Sequence, residues 1–492
     1  MSPSAAQYPA PGTAAETLSL LDIDADREQA QQMATSWTDN DLFATNEFRR
    51  MLPGYLFLVP LLTQTFLMNP CYEKSPNAKL ARLALMPITI YLTLTRVSLR
   101  LFYPLNVFFH WNFSSVSFPT FHAVCLAIQY GLFQGPVFAS KEEMIKAGNY
   151  RGDPDDEKSG KNKPDFQPNM NPSFLERVKF TIWILFSPRG LETSWAPSLE
   201  VVPRGPKMGI GLFFFYILAK TIVCHIMMTT LWMIGVECAQ HPNGAYGVLA
   251  DWMPWLPHLQ VLKKYPQLDY LSPAPFGGAA WFAIDTLGGI LTLLEVILYL
   301  VGPYILPKDL APGKFDSTLY PPLFNDLHMR ESLIAFWSRG WHAIFRRNII
   351  FCGWNPMEYL FSGFGKDTAK TAGMMGGMIF SGIFHEYLIA AVSEIDWKFP
   401  TVLMFTLCGA GMVAEVQFKR RTGRLVKGLL GRWWLVLVIG AYGKHMVESW
   451  MARGLGRSDM PPPRLWTWPR FLVPFSGLLP ERWIARIAAL AP

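Results

Sequence analysis

Residues 373–392 read GMMGGMIFSGIFHEYLIAAV, a run apolar and long enough to cross a bilayer that nevertheless carries His385 and Glu386. Ionisable groups at such depth are costly and commonly face a protein interior or a wet cavity. A neutral imidazole in an apolar tunnel suits a general base acting on a hydroxyl or thiol. A core histidine bonded to a neighbouring helix suits the same pattern, and the spacing leaves both readings open. Glu386 points about 100° away from His385 on a helix, so a structural pairing with a basic residue elsewhere is expected of it. Gly373, Gly376, Gly377, Ser381 and Gly382 let other helices approach closely. Ser381, four residues before His385, lies on the same face and is placed to orient the ring.

A second cluster, RESLIAFWSRGWHAIFRRNIIFCGWNPMEYLF at 330–361, has its apolar runs broken by charges. Arg339, His342 and Arg346 fall at i, i+3 and i+7, one helical stripe. That predicts a short amphipathic or re-entrant helix at the cytosolic interface. Trp337, Trp341 and Arg347 fit an aromatic belt with lipid phosphates, whereas His342 on the arginine stripe is less well explained by anchoring. An arginine-rich mouth also suits a phosphorylated co-substrate. Asp285, Glu295, Glu415, His225 and the pair His445/Glu448 lie in other apolar runs, as functional groups or as polar glue. No nucleophile elbow, P-loop, H-E-x-x-H or dinucleotide fingerprint occurs.

These residues need elements to hold them. The 492-residue chain is 51% hydrophobic and only 16% charged, against about 25% charged in an average soluble domain. Apolar runs near 52–68, 80–101, 116–138, 208–235, 279–306, 371–393, 399–418 and 428–450 predict an all-α, polytopic membrane protein. About eight transmembrane helices (seven to ten), with interfacial or re-entrant helices, would enclose an internal chamber. The first fifty residues, with eight Asp/Glu against three Lys/Arg, read as a polar acidic tail, leaving the first span to direct targeting. Residues 51–450 form the membrane domain, 147–172 a flexible insertion, and 451–492 a tail that is interfacial or spans once more. KRRTGRLVK (419–427) has five basic residues and no acid, which makes it cytosolic. By alternation 139–207 and 307–370 are cytosolic, and 236–278, 394–399 and both tails lumenal, with a weak glycosylation sequon at Asn112. The net charge of +7 points to membrane surfaces and anionic small molecules, not nucleic acid. Six scattered cysteines give neither a disulfide framework nor a metal site.

Three stretches together resemble the wax synthase-like branch of the membrane-bound O-acyltransferase superfamily. They are Arg189-Gly190-Leu191 with Trp195, Phe336-Trp337 through Arg339-Gly340-Trp341-His342 with Phe345-Arg346, and Ser381-Gly382-Ile383-Phe384-His385-Glu386. The resemblance implies acyl transfer from acyl-CoA to a hydroxyl inside a helical chamber, in the endoplasmic reticulum membrane. His385 matches the family's intramembrane histidine, the general base, and His342 the second signature position. Arg339 and Arg346 match basic positions and are extended here to CoA phosphates. Asn348, or His342, is placed to donate to the oxyanion, and Asn348 is grouped with the two arginines as a residue binding acyl-CoA. No cofactor is expected beyond acyl-CoA as co-substrate. The expected donor is acetyl-CoA and the acceptor a lipophilic alcohol such as a terpenoid secondary metabolite. A long-chain wax or sterol ester synthase is the alternative. A proton-coupled transporter, the reading from another class, predicts internal repeats, and none is visible in the sequence.

Overall fold

The structure is a computed structural model describing residues 52–96, 117–150, 169–265, 269–308 and 310–455. The acidic tail 1–50, Asn112, residues 151–168 of the insertion and 456–492 of the carboxyl-terminal tail lie outside the described residues. The described residues are helices and connecting turns, with no strand among them. The helices that frame the site and the spans are α1 (Leu58–Phe66), α2 (Pro76–Thr95), α3 (Phe118–Leu132), α4 (Phe174–Leu185), α5 (Ile210–Gln240), α6 (Pro273–Ile305), α7 (Arg346–Ile349), α8 (Asn355–Leu360), α9 (Lys366–Ala390), α10 (Pro400–Thr422) and α11 (Gly428–Ala452).

Each apolar run noted above contains a helix among its described residues, but these helices are not equivalent. α2, α5, α6 and α10 are long and apolar enough to cross a membrane. At 25 residues, α9 and α11 have the length but are less apolar, while α1 and α3, at 9 and 15 residues, fall short of a full crossing. Local signals set the ends. Ser173 and Glu176 form a reciprocal capping box at the start of α4. Pro400 opens α10, three basic residues occupy its last turn, and Gly423 at φ 70° ends it.

Packing divides the chain into three groups. The amino-terminal helices enclose Phe57, Leu61, Leu126, Tyr130 and Ile184. α5 and α6 pair along their length, and their outer faces keep large apolar side chains such as Phe215, Leu291 and Tyr304 exposed, as a lipid-facing surface would. α9, α10 and α11 pack around Leu333, Phe405, Cys408 and Leu435. Between the first and third groups lies an aromatic seam of Phe345, Phe384 and Leu388 with Phe118 and Phe121.

Candidate active site

The segment 330–361 is not one helix, which corrects the single-stripe expectation. A helical turn at Leu333–Ala335 widens into a π-helical turn at Phe336–Gly340, and the chain then extends at Trp341. It turns through 342–345 into α7, a second π-helical turn at Ile350–Trp354, and α8. Arg339, His342 and Arg346 therefore share no face.

The path instead descends along α10 and returns along α9. At its start Glu415 of α10 accepts from the backbone N–H groups of Leu333 (2.7 Å) and Ile334 (3.1 Å) and from Trp434 Nε1 (3.1 Å). Glu331 accepts Gly428 N–H at 2.9 Å and lies 3.3 Å from Arg432; the Gly428 bond foremost holds its carboxyl below the ordinary value. Further on, Trp337 packs on Phe405 (5.3 Å) and Phe345 on Phe384 (5.3 Å). On the way back Gly353 and Gly376 meet so closely that a Cβ on either would strike the other's carbonyl. The small-residue face of α9 is where this return strand of chain lies.

The expected residues come to different places. His385 Nδ1 is 2.8 Å from the carbonyl oxygen of Ser381, not from its hydroxyl. That carbonyl accepts only, so Nδ1 carries the proton and Nε2 is left with its lone pair. The ring stacks on Phe405 (4.7 Å, 23°) and runs parallel to Trp450 at 6.5 Å. His342 is enclosed by Phe324, Trp341 and Phe345, and its Nδ1 has no hydrogen-bond partner. Buried polar atoms are normally paired, so such an orphan marks a place for a ligand group or water. Both imidazoles border the Phe345–Phe384 pair, His342 against Phe345 and His385 against Phe384.

Arg339 is exposed and 3.5 Å from Glu200; half-buried Arg346 donates from Nη1 to the Ser338 carbonyl at 3.2 Å. Asn348 departs from expectation. It is buried, its Oδ1 accepts from Gln129 Nε2 (2.7 Å), and its Nδ2 lies 3.1 Å from His122 Nδ1. Its amide is engaged on both ends with side chains of α3. His122 escaped the sequence reading. The available signal was Gln129 seven residues on, a second polar side chain on the same face of an apolar helix.

Several of the remaining charges pair with one another. Glu386 pairs with Arg453 at 2.7 Å, both buried, as expected of a residue turned away from His385. Lys220 and Asp285 pair at 3.0 Å between α5 and α6, and His445 and Glu448 at 3.3 Å on an exposed face. Arg347 is not a lipid anchor: its guanidinium lies 3.6 Å from the centroid of the Trp195 ring, with Tyr130 and Phe133 near by. Gly190, at φ 55°, leaves the space that Trp195 Nε1 fills, and Arg189 donates to the carbonyls of Pro321 and Pro322 at 3.2 Å. The 187–197 motif is thereby tied to the 330–361 segment. Among the described residues no His, Cys, Asp or Glu group is arranged to hold a metal ion.

Residues 320–407 match the model of the membrane bound O-acyl transferase family, a span that includes His342, Asn348 and His385. An acetyltransferase of Rhodocybe pseudopiperita is 24% identical over 322 residues, covering 60% of this chain and 75% of that protein. A probable long-chain-alcohol O-fatty-acyltransferase of Arabidopsis thaliana is 30% identical over 104 residues, covering 20% of this chain and 29% of that protein. These matches bear out the resemblance drawn from the three motifs and the reading of the chain as a membrane-embedded acyltransferase.

Proposed function

We propose, from a chain that carries the membrane-bound O-acyltransferase segment, an enzyme that moves an acetyl group from acetyl-CoA to the hydroxyl of a lipophilic alcohol, in the endoplasmic reticulum membrane. The observation that carries this reading is His385, whose Nδ1–H is committed to the Ser381 carbonyl so that Nε2 is a base. Nε2 takes the hydroxyl proton as the alcohol oxygen bonds to the thioester carbon. The tetrahedral oxyanion then collapses, the carbon–sulfur bond breaks, and the leaving CoA thiolate recovers the proton from His385. General-base assistance of this kind is worth roughly 10²–10⁴-fold.

His342, enclosed in the same aromatic surroundings with Nδ1 unpartnered, supplies a second polar group to the reacting atoms. Arg339 and Arg346, which flank His342 in the chain, are assigned to the CoA phosphates. An apolar lining of Phe345, Phe384 and Phe405 limits hydrolysis of the thioester. The acetyl donor is favoured by the Rhodocybe relative, which is named an acetyltransferase. The Arabidopsis relative supports a second reading, a long-chain acyl donor with a fatty alcohol.

Microsomes containing the full chain, given acetyl-CoA or palmitoyl-CoA with a terpenoid alcohol, a sterol or hexadecanol, test the choice by mass spectrometry of the esters. Acetyl esters are the expected product. Palmitoyl esters alone establish the second reading, and no ester with either donor overturns the acyltransferase proposal.

A further inference from the structure

Three imidazoles, not two, border the aromatic seam. His122 packs edge-on against Phe345 at 5.6 Å, and Phe345 is in turn 6.0 Å from His342 and 5.3 Å from Phe384, next to His385. Phe118, one turn earlier on α3, touches Phe345 (5.0 Å) and Phe384 (6.3 Å), so the amino-terminal part of α3 forms one wall of this region. His122, His342 and His385 are each half-buried, so none of the three rings is fully closed off by the protein.

Its tautomer is fixed by a buried relay. Gln129 Nε2 donates to Asn348 Oδ1, which turns the Asn348 amide nitrogen toward His122 Nδ1. An amide nitrogen donates only, so Nδ1 accepts and the His122 proton sits on Nε2. The arrangement is opposite to that of His385, where Nδ1 donates and Nε2 accepts. One seam therefore holds a ring nitrogen ready to take a proton and another ready to offer a hydrogen bond. Acyl transfer asks for both: a base at the attacking hydroxyl and a donor at the thioester oxygen as it becomes negative.

Resting on the acyltransferase reading above, we propose that His122 is a catalytic residue whose Nε2–H donates to the thioester carbonyl oxygen, with Asn348 and Gln129 as its positioning residues. The donor is preorganised because the relay is buried and spans α3 and α7, so no reorientation is needed when charge develops. No proton leaves His122 in the step; it holds the oxyanion until the carbon–sulfur bond breaks.

The test compares His122→Phe, His122→Gln and His122→Asn in the full chain, in microsomes, with acetyl-CoA and whichever alcohol of the panel the wild type esterifies. A glutamine amide reaches the place of Nε2, whereas an asparagine amide reaches only that of Nδ1. We expect His122→Phe and His122→Asn to lose about 10²–10³-fold in kcat, the effect of removing one oxyanion donor, with the KM for the alcohol little changed. His122→Gln is expected to recover at least a tenth of wild-type kcat. A merely structural histidine predicts the reverse order, since asparagine preserves the contact to Asn348. His122→Asn matching or exceeding His122→Gln therefore overturns the proposal, as does a fully active His122→Phe. The two polar variants decide the matter even where the phenylalanine variant fails to insert. A wild-type chain that forms no ester overturns the underlying acyltransferase reading instead, a result distinct from active wild type with indifferent variants.

Discussion

The α5–α6 pair and the segment 330–361 both keep charges among apolar residues, yet they use them differently. In the pair, one lysine and one aspartate answer each other across two long regular helices, and the outer faces expose large apolar side chains. In the segment the helix breaks twice into π-helical turns, and His342 Nδ1 is left buried with nothing of the protein on it. Satisfied polarity holds helices together; polarity that is positioned but unanswered is what a reaction needs.

The sharpest way to break that contrast is to remove the ion pair of α5–α6 and, separately, the α9 imidazole that borders the segment through the Phe345–Phe384 contact. His385→Ala is expected to lower ester formation by about 10²–10⁴-fold while the protein still inserts. Lys220→Met with Asp285→Leu, which replaces both partners together, is expected to leave turnover near wild type, because exchanging a whole pair for apolar residues is often near neutral. Normal turnover by His385→Ala, measured as ester per inserted protein, would remove His385 from the mechanism.

Next in size comes Glu386, which adjoins the base in sequence but behaves like the α5–α6 pair. Glu386→Gln leaves buried Arg453 without its counter-charge, a loss of about 3–5 kcal/mol where one partner of a buried pair is removed. The thermal midpoint in detergent should fall, while kcat per folded molecule stays close to wild type. A fall in kcat at unchanged stability would give Glu386 a chemical role instead.

The smallest effect separates the two arginines. Arg346→Ala should raise the apparent KM for acyl-CoA more than that for the alcohol, without a comparable fall in kcat. Arg339→Ala breaks an exposed contact worth about 0–1 kcal/mol, so its stability should barely move, and its whole effect should lie in the same KM. If neither variant discriminates between the two substrates, the arginines do not hold CoA.

Length and apolarity made the helices readable, because a spanning run must bond its own backbone and advertises itself as twenty-odd apolar residues. His385 was readable for the converse reason, as an expensive exception within such a run. The shape of 330–361 was not. Its breaks answer to Glu415 at one end and the glycine face of α9 at the other, neither of which periodicity within the segment can register. Asn348 was read as a donor to the oxyanion and a contact to acyl-CoA, but the partners of its amide lie 219 and 226 residues away on α3. His122 was hidden by the same distance. A lone histidine in an apolar helix says little until its partner is known.

The covering of Arg347 by Trp195 has a consequence for exchanging parts between relatives. The cation sits in one stretch and its lid in another, about 150 residues earlier, and Gly190 lets that lid close. A chimera that transplants only 320–407 into a relative would bring the arginine without its matched indole, leaving a desolvated charge to find new company. The smallest portable cassette is thus discontinuous: it takes 187–197 and α3 along with the segment they clasp.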